Sequence, residues 1–185
     1  MELTKEYIAE CEDNVYRLFK QIDGDRKSER VQQRSKIIKD FCKGAKKILS
    51  VGCGPFEPID INATHAVDCA INSRDYLREQ GWNGLFFLGS CDNLAMGWGY
   101  DKGKFDVAVC SEVIEHLPDL AIVRKTFQEL NRVANRWIFT CPDWIGTEPT
   151  HKRAFTEKML KNVTEGLKVR IEHRGRYFYV FHDRN

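Results

Sequence analysis

From Lys47 onward the chain alternates. Short apolar runs lie near residues 47–51, 64–68, 84–88, 105–110 and 136–141, with helical periodicity near 72–80 and 119–134 between them. Runs this short, bounded by Gly, Pro and Asp, have the length of strands rather than of buried helices. Strands that alternate with helices pair in parallel, because a chain returns to the same end of a sheet only through a crossover. The helices then cover both faces. The tail breaks this pattern. Leu167 to His173 alternates apolar and polar residues, Arg174-Gly175-Arg176 intervenes, and Tyr177 to His182 is again apolar. Two strands around a glycine turn predict an antiparallel hairpin. The expected fold is α/β: an open, mostly parallel, Rossmann-like sheet of five strands plus two in a C-terminal hairpin, with helices on both faces.

The first crossover is short. Only 13 residues separate Gly54 from Asp68, and Pro55 and Pro58 are among them. That is too little for a crossover helix and a strand, so a loop or a single turn is predicted there. Before the sheet, Thr4 to about Ile22 has a helical period in Ile8, Val15, Leu18 and Phe19. Gly24-Asp25 breaks it, and Ser28 opens a second helix through Ile37, Ile38 and Phe41. Arg26, Lys27, Arg30, Arg34, Lys36 and Lys39 cluster here. They read as a solvated face, with a substrate- or nucleic-acid-facing patch as the other reading. With 185 residues, one domain is expected, with a helical region at 1–45 and a Rossmann-like core at 46–185.

A formal net charge of +2 argues neither for nor against an anionic partner. The seven cysteines, at 11, 42, 53, 69, 91, 110 and 141, form no Cys-x-x-Cys pair, and several lie in apolar runs. They read as buried free thiols in a reducing compartment. The first residues lack the apolar stretch of a signal peptide, and no run approaches the roughly 20 apolar residues of a membrane span. A cytoplasmic protein without a membrane partner is expected, or a viral one acting in a cytoplasm.

Polar chemistry sits at the carboxyl ends of two apolar strands. Gly52 and Gly54 flank Cys53 after Ile48–Val51, and Glu112, Glu115 and His116 follow Phe105–Ser111. In open α/β sheets ligands bind at that edge, and glycine lets backbone approach a ligand closely. Asp68, at the tip of the second strand, can accept hydrogen bonds from ribose hydroxyls or cap the following helix. In order and spacing these residues resemble class I S-adenosylmethionine-dependent methyltransferases of the small methyltransferase-11 and ubiquinone-pathway O-methyltransferase type, over residues 45–182. The resemblance implies S-adenosyl-L-methionine as cofactor. Gly52, Cys53 and Gly54 would wrap its amino-acid part, Asp68 would hold the ribose, and Cys69 and Ala70 would lie beside the adenosine. Ser90, Cys91 and Asp92 would meet the adenine, and Ser111 completes the set. The chain departs from the family at Ser50, where an acid is usual, at Phe56, where a small residue is usual, and at Ser90, which replaces an acid.

Glu112-Val113-Ile114-Glu115-His116 resembles the Glu-x-x-Glu-His element of ubiquinone-pathway O-methyltransferases and of small-RNA 2′-O-methyltransferases. In those families the element is associated with a divalent ion. Spacings of three and four put the three ionisable groups on one face if the segment is helical, and two carboxylates with an imidazole suit such an ion. Glu112, Glu115 and His116 are therefore the catalytic candidates. With His151, from a run resembling a histidine-bearing segment of the RNA enzymes, they are candidate ligands for Mg2+ or Mn2+. A metal-free His116 acting as proton acceptor and a structural role are the other readings. Trp98 and Trp144 fall in loops near the ligand edge, as core or lid residues or as stacking surfaces.

The expected reaction is methyl transfer to a hydroxyl of a small molecule, saccharide or nucleotide. An RNA-directed enzyme and a non-catalytic cofactor-binding module are the alternatives. A nicotinamide dehydrogenase would need a third glycine where Glu57 stands, opening a long helix where Pro58 follows.

Overall fold

The computed structural model describes residues 3–20, 28–94, 105–145 and 150–183. Two helices come first, α1 (Lys5–Lys20) and α2 (Glu29–Cys42). Then follow β1 (Ile48–Val51), α3 (Glu57–Asp60), β2 (His65–Asp68), α4 (Ile71–Glu79) and β3 (Leu85–Leu88). The second half comprises β4 (Phe105–Ser111), α5 (Leu120–Val133), β5 (Ala134–Pro142), α6 (Glu157–Val163), β6 (Arg170–Arg174) and β7 (Tyr177–Asp183). The seven strands form one sheet in the order β3-β2-β1-β4-β5-β7-β6. β1 pairs in parallel with β2 and β4, and β5 pairs with β7 antiparallel. The C-terminal hairpin β6–β7 is antiparallel as well.

The side-chain period of two sorts the strands onto two cores. Leu49, Val51, Ala108, Cys110, Trp137 and Phe139 point to one face, where they meet Val123, Phe127 and Leu130 of α5 and Leu160 of α6. Their neighbours Ile48, Val107, Val109 and Ile138 point to the other, against Ile38 and Cys42 of α2. Burial on both faces is why the central strands read as unbroken apolar runs.

Local chemistry sets the element ends. Asp119 caps α5, its Oδ1 accepting the Ile122 N–H at 2.8 Å. Thr156 caps α6 through the Met159 N–H. The sequence reading did not include α6, because seven residues span too few turns for a period to show. The first crossover is the expected single turn: α3 has four residues, with Pro58 in its first turn. α1 lies on α4. Phe19 stacks on Tyr76 with ring centroids 4.0 Å apart, and Asn72 Nδ2 donates to the Glu12 carbonyl at 2.8 Å. The Gly24-Asp25 break, Arg26, Lys27 and Trp98 lie outside the described residues. Among the described residues no helix is long and apolar enough to cross a membrane.

The strand order reverses direction between β1 and β4. Crossovers leave these two strands on opposite sides, so a crevice opens at their carboxyl ends.

Candidate functional site

The glycine loop after β1 folds over the end of β2. Gly52 N–H donates to the Val67 carbonyl at 2.9 Å. Gly52 has φ +63°, and a Cβ there would lie 2.5 Å from Val113 Cγ2. Both backbone and packing therefore demand glycine. Gly54, with φ +52°, differs: nothing lies within 4 Å of where its Cβ would be.

Asp68 ties this loop down. Its Oδ2 accepts the Gly54 N–H and its Oδ1 the Ala70 N–H, both at 2.9 Å. Burial raises its carboxyl above the ordinary range, and the two N–H groups oppose the rise. Each oxygen retains capacity to accept from a ligand hydroxyl.

Beneath the loop, Ser50 Oγ donates to Glu57 Oε1 at 2.6 Å. Burial pushes the Glu57 carboxyl up to about 8.

At the end of β4, Glu112 adopts φ +57°, a left-handed conformation that costs a non-glycine residue about 1–2 kcal/mol. Two contacts hold it there. Thr140 Oγ1 donates to its Oε1 at 3.1 Å, and Arg34 Nη1 lies 3.1 Å from its Oε2. Burial raises its carboxyl, and the Arg34 guanidinium opposes that. Residues 114–116 form a 3₁₀ turn, not an α-helix. The three-and-four spacing therefore does not gather Glu112, Glu115 and His116 on one helical face.

The structure gathers three of the four candidate ligands. Ligand atoms of Glu115, His116 and His151 all lie within 4.8 Å of one another, and the two imidazole rings meet edge to face. Glu112 is not in the cluster, because Arg34 and Thr140 hold its carboxyl elsewhere. Glu115 is fully buried, and no other described residue hydrogen-bonds its carboxyl oxygens. Burial, with Glu112 nearby, pushes that carboxyl well above the usual range.

His151 is brought in by its neighbours. Lys152 N–H donates to the Glu115 carbonyl at 2.7 Å, and Arg153 donates to the Leu117 and Pro118 carbonyls at 2.6 and 2.5 Å. His151 Nδ1 lies 2.8 Å from the Ile145 carbonyl. That contact requires Nδ1 to carry the proton, which leaves Nε2 with the lone pair when the ring is neutral.

A cavity of about 450 Å³ occupies the crevice. Gly52, Cys53, Gly54, Asp68, Cys69 and Ser111 wall one part of it, and Glu112, His116 and His151 wall another. Ser90, Cys91 and Asp92 do not line it. Asp92 is buried, bonded by Ser90 Oγ and 3.7 Å from Lys125 Nζ, and Thr126 Oγ1 reaches Cys91 Sγ. The partners on α5 draw this segment away from the cavity.

Sequence reasoning missed several wall residues. Tyr7, Cys11 and Val15 of α1 close one side. The basic face of α2 is not simply solvated: Arg34 lies over the Tyr177 ring and Arg30 over the Trp144 ring, at 5.1 and 5.3 Å. Glu57 also lines the cavity. Its only signal was an acid in the abbreviated crossover, seven residues after a serine in a buried strand.

No family model matches the sequence, and no curated protein matches it. Solved structures do. A SAM-dependent methyltransferase from Archaeoglobus fulgidus superposes with a TM-score of 0.70 at 16% identity, covering 90% of this chain and 98% of that one. A SAM-dependent methyltransferase from Thermotoga maritima gives a TM-score of 0.68 at 14% identity, with coverages of 92% and 98%. The N-methyltransferase NodS from Bradyrhizobium japonicum, in complex with S-adenosyl-L-homocysteine, gives 0.66 at 14% identity, with coverages of 92% and 96%. At these identities the likeness establishes the architecture: the chain has the class I, Rossmann-like methyltransferase fold.

Proposed function

We propose that this chain binds S-adenosyl-L-methionine in the cavity and transfers its methyl group to a hydroxyl of a small molecule, saccharide or nucleotide. One observation carries the reading. A cavity of about 450 Å³ opens at the carboxyl ends of β1, β2 and β4, between a glycine loop pinned by a buried Asp68 and an imidazole-bearing wall. The residues fit the cofactor: the space beside Gly54 admits close approach of a ligand, and both Asp68 oxygens can accept from ribose hydroxyls. The NodS structure, which shares the fold, was solved with the demethylated cofactor bound.

When bound, the cofactor supplies a methyl group already activated by a positive sulfur. The chain must hold the acceptor oxygen in line with that carbon, and alignment of this kind can supply as much as about 7–11 kcal/mol. A hydroxyl acceptor must also lose its proton, and His116 lines the cavity as the proton acceptor. Arg30, Trp144 and Tyr177 line the cavity as well and would contact the acceptor. A nucleotide or RNA end suits them by charge and stacking. A cytoplasmic site of action remains part of the proposal, on the cysteine pattern alone.

A metal-assisted version is the second reading. It is favoured by the buried Glu115 carboxyl beside two imidazoles. Glu115, His116 and His151 would hold Mg2+ or Mn2+, whose chemistry there is to lower the acceptor hydroxyl's pKa.

The test is calorimetry with S-adenosylmethionine and S-adenosylhomocysteine. It is followed by transfer of labelled methyl to pools of metabolites, saccharides, nucleotides, RNA and protein, with and without chelator. Saturable binding and a labelled hydroxyl product are expected. Absence of binding to the intact protein overturns the reading. Loss of turnover in chelator, restored by manganese, selects the metal version, and turnover indifferent to chelator selects the metal-free one.

A further inference from the structure

Glu57 stands on the cavity wall close to the glycine loop, and nothing in the chemistry described so far uses it. Its place is built rather than accidental. α3 is a single turn, so its first residue stays against the end of β1. There the fully buried Ser50 donates to Glu57 Oε1 at 2.6 Å. That bond fixes the carboxyl group and leaves Oε2 for another donor. Among the described residues no cation pairs with Glu57. Arg34 is near enough to stabilise its charge but makes its ion pair with Glu112, while Asp60 and Glu112 act against ionisation. Glu57, Arg34 and Glu112 thus line the same cavity as the Gly52–Gly54 loop.

The free Oε2 of Glu57, on a wall where Arg34 is already paired with Glu112, matches the α-ammonium group of an α-amino-acid head. We propose that Glu57 is the acceptor for the α-ammonium group of the bound cofactor, oriented for that role by Ser50. The inference rests on the cofactor reading given above. The ammonium group, unlike the sulfonium, donates hydrogen bonds, and a carboxylate only accepts them. The carboxyl's raised pKa fits a group waiting for a cation: burial, with Asp60 and Glu112 nearby, favours its protonated form at pH 7, and an arriving ammonium reverses that. Binding therefore displaces a proton from Glu57 into the buffer.

The test compares two ligands and two proteins. S-Adenosylhomocysteine carries the amino-acid head, and 5′-methylthioadenosine is the same nucleoside thioether without it. Both are titrated calorimetrically into wild type and E57Q at pH 7, in buffers of different ionisation enthalpy. Glutamine still accepts from Ser50, and equal melting temperatures establish that the variant is folded. The expected result is a loss of about ten- to a hundredfold in S-adenosylhomocysteine affinity, the range of a charge-assisted hydrogen bond. Methylthioadenosine affinity stays unchanged, and proton release is seen with wild type but not with E57Q. Unchanged S-adenosylhomocysteine affinity in E57Q overturns the inference. So does an equal loss for both ligands, which would make Glu57 a shaper of the loop. If wild type binds neither ligand, the cofactor reading itself fails, a result distinct from either of these.

Discussion

Glycines 52 and 54 look alike in the sequence and differ in the structure. The Cβ of an alanine at 52 would meet Val113 Cγ2 at 2.5 Å, whereas at 54 it would enter open space. Gly52→Ala is expected to lower the melting temperature, with a cost of about 1–3 kcal/mol from overpacking on top of backbone strain. Gly54→Ala carries only the strain but intrudes on the cavity, so it should weaken S-adenosylhomocysteine binding more than it lowers stability. Parallel melts and titrations of the two variants check this; the reverse pattern would contradict the loop's assignment. The carboxyls make a second residue-scale prediction. Burial raises the folded-state pKa of Glu57, from 4.5 to about 8, and that of Glu115. A raised carboxyl favours the folded state while protonated, and that stability is lost as pH climbs from the unfolded value through the folded one. In chelator, the ligand-free protein should melt at a lower temperature at pH 8 than at pH 5.5. Glu115→Gln should flatten that fall, as thermal melts across the range would show. Asp106 and Asp143, held below the ordinary range, act in the opposite sense but only at more acidic pH. Gly52, Gly54 and Asp68 were legible because loop and strand-end chemistry is local. Glu57 was not, because its role arises only when α3 turns it back onto Ser50.

Among the elements, the strands were legible and the helical connections less so. Central strands are apolar on both faces, and that survives in any reading of the sequence. α6 escaped because it is short, and the 114–116 segment because a 3₁₀ turn and a helix share a composition. The position of α1 was unreadable for another reason: its amphipathic pattern says that it packs, not upon what. It packs on α4 through Phe19 and Tyr76 and sets Tyr7, Cys11 and Val15 on the cavity wall. Phe19→Ala removes stacking worth about 0.5–1.5 kcal/mol and loosens that wall. A several-fold loss in S-adenosylhomocysteine affinity is expected, with a small change in melting temperature. An unchanged affinity would mean that α1 does not close over the ligand.

At the scale of the whole molecule, the sheet order puts loops from β1, β2 and β4 at one crevice, while the 150–153 segment arrives from beyond β5. That convergence is why the sequence, read for strand ends, located the crevice while two groups it named sit differently from the rest. Ser90 to Asp92 turned toward α5, and Glu112 was drawn to an arginine on α2. Lys152 is the place where the parts meet. Its backbone N–H holds the Glu115 carbonyl, and its Nζ lies 2.7 Å from Glu10 on α1. One residue thus ties the helix over the proposed cofactor to the segment carrying His151. If methyl transfer is the reaction, this tie couples the wall over the donor to the segment carrying His151, and the two substrates are expected to bind in order, donor first. Steady-state kinetics should then show compulsory order. S-Adenosylhomocysteine should be competitive against the donor and non-competitive against the acceptor, and Lys152→Ala should move the pattern toward random addition.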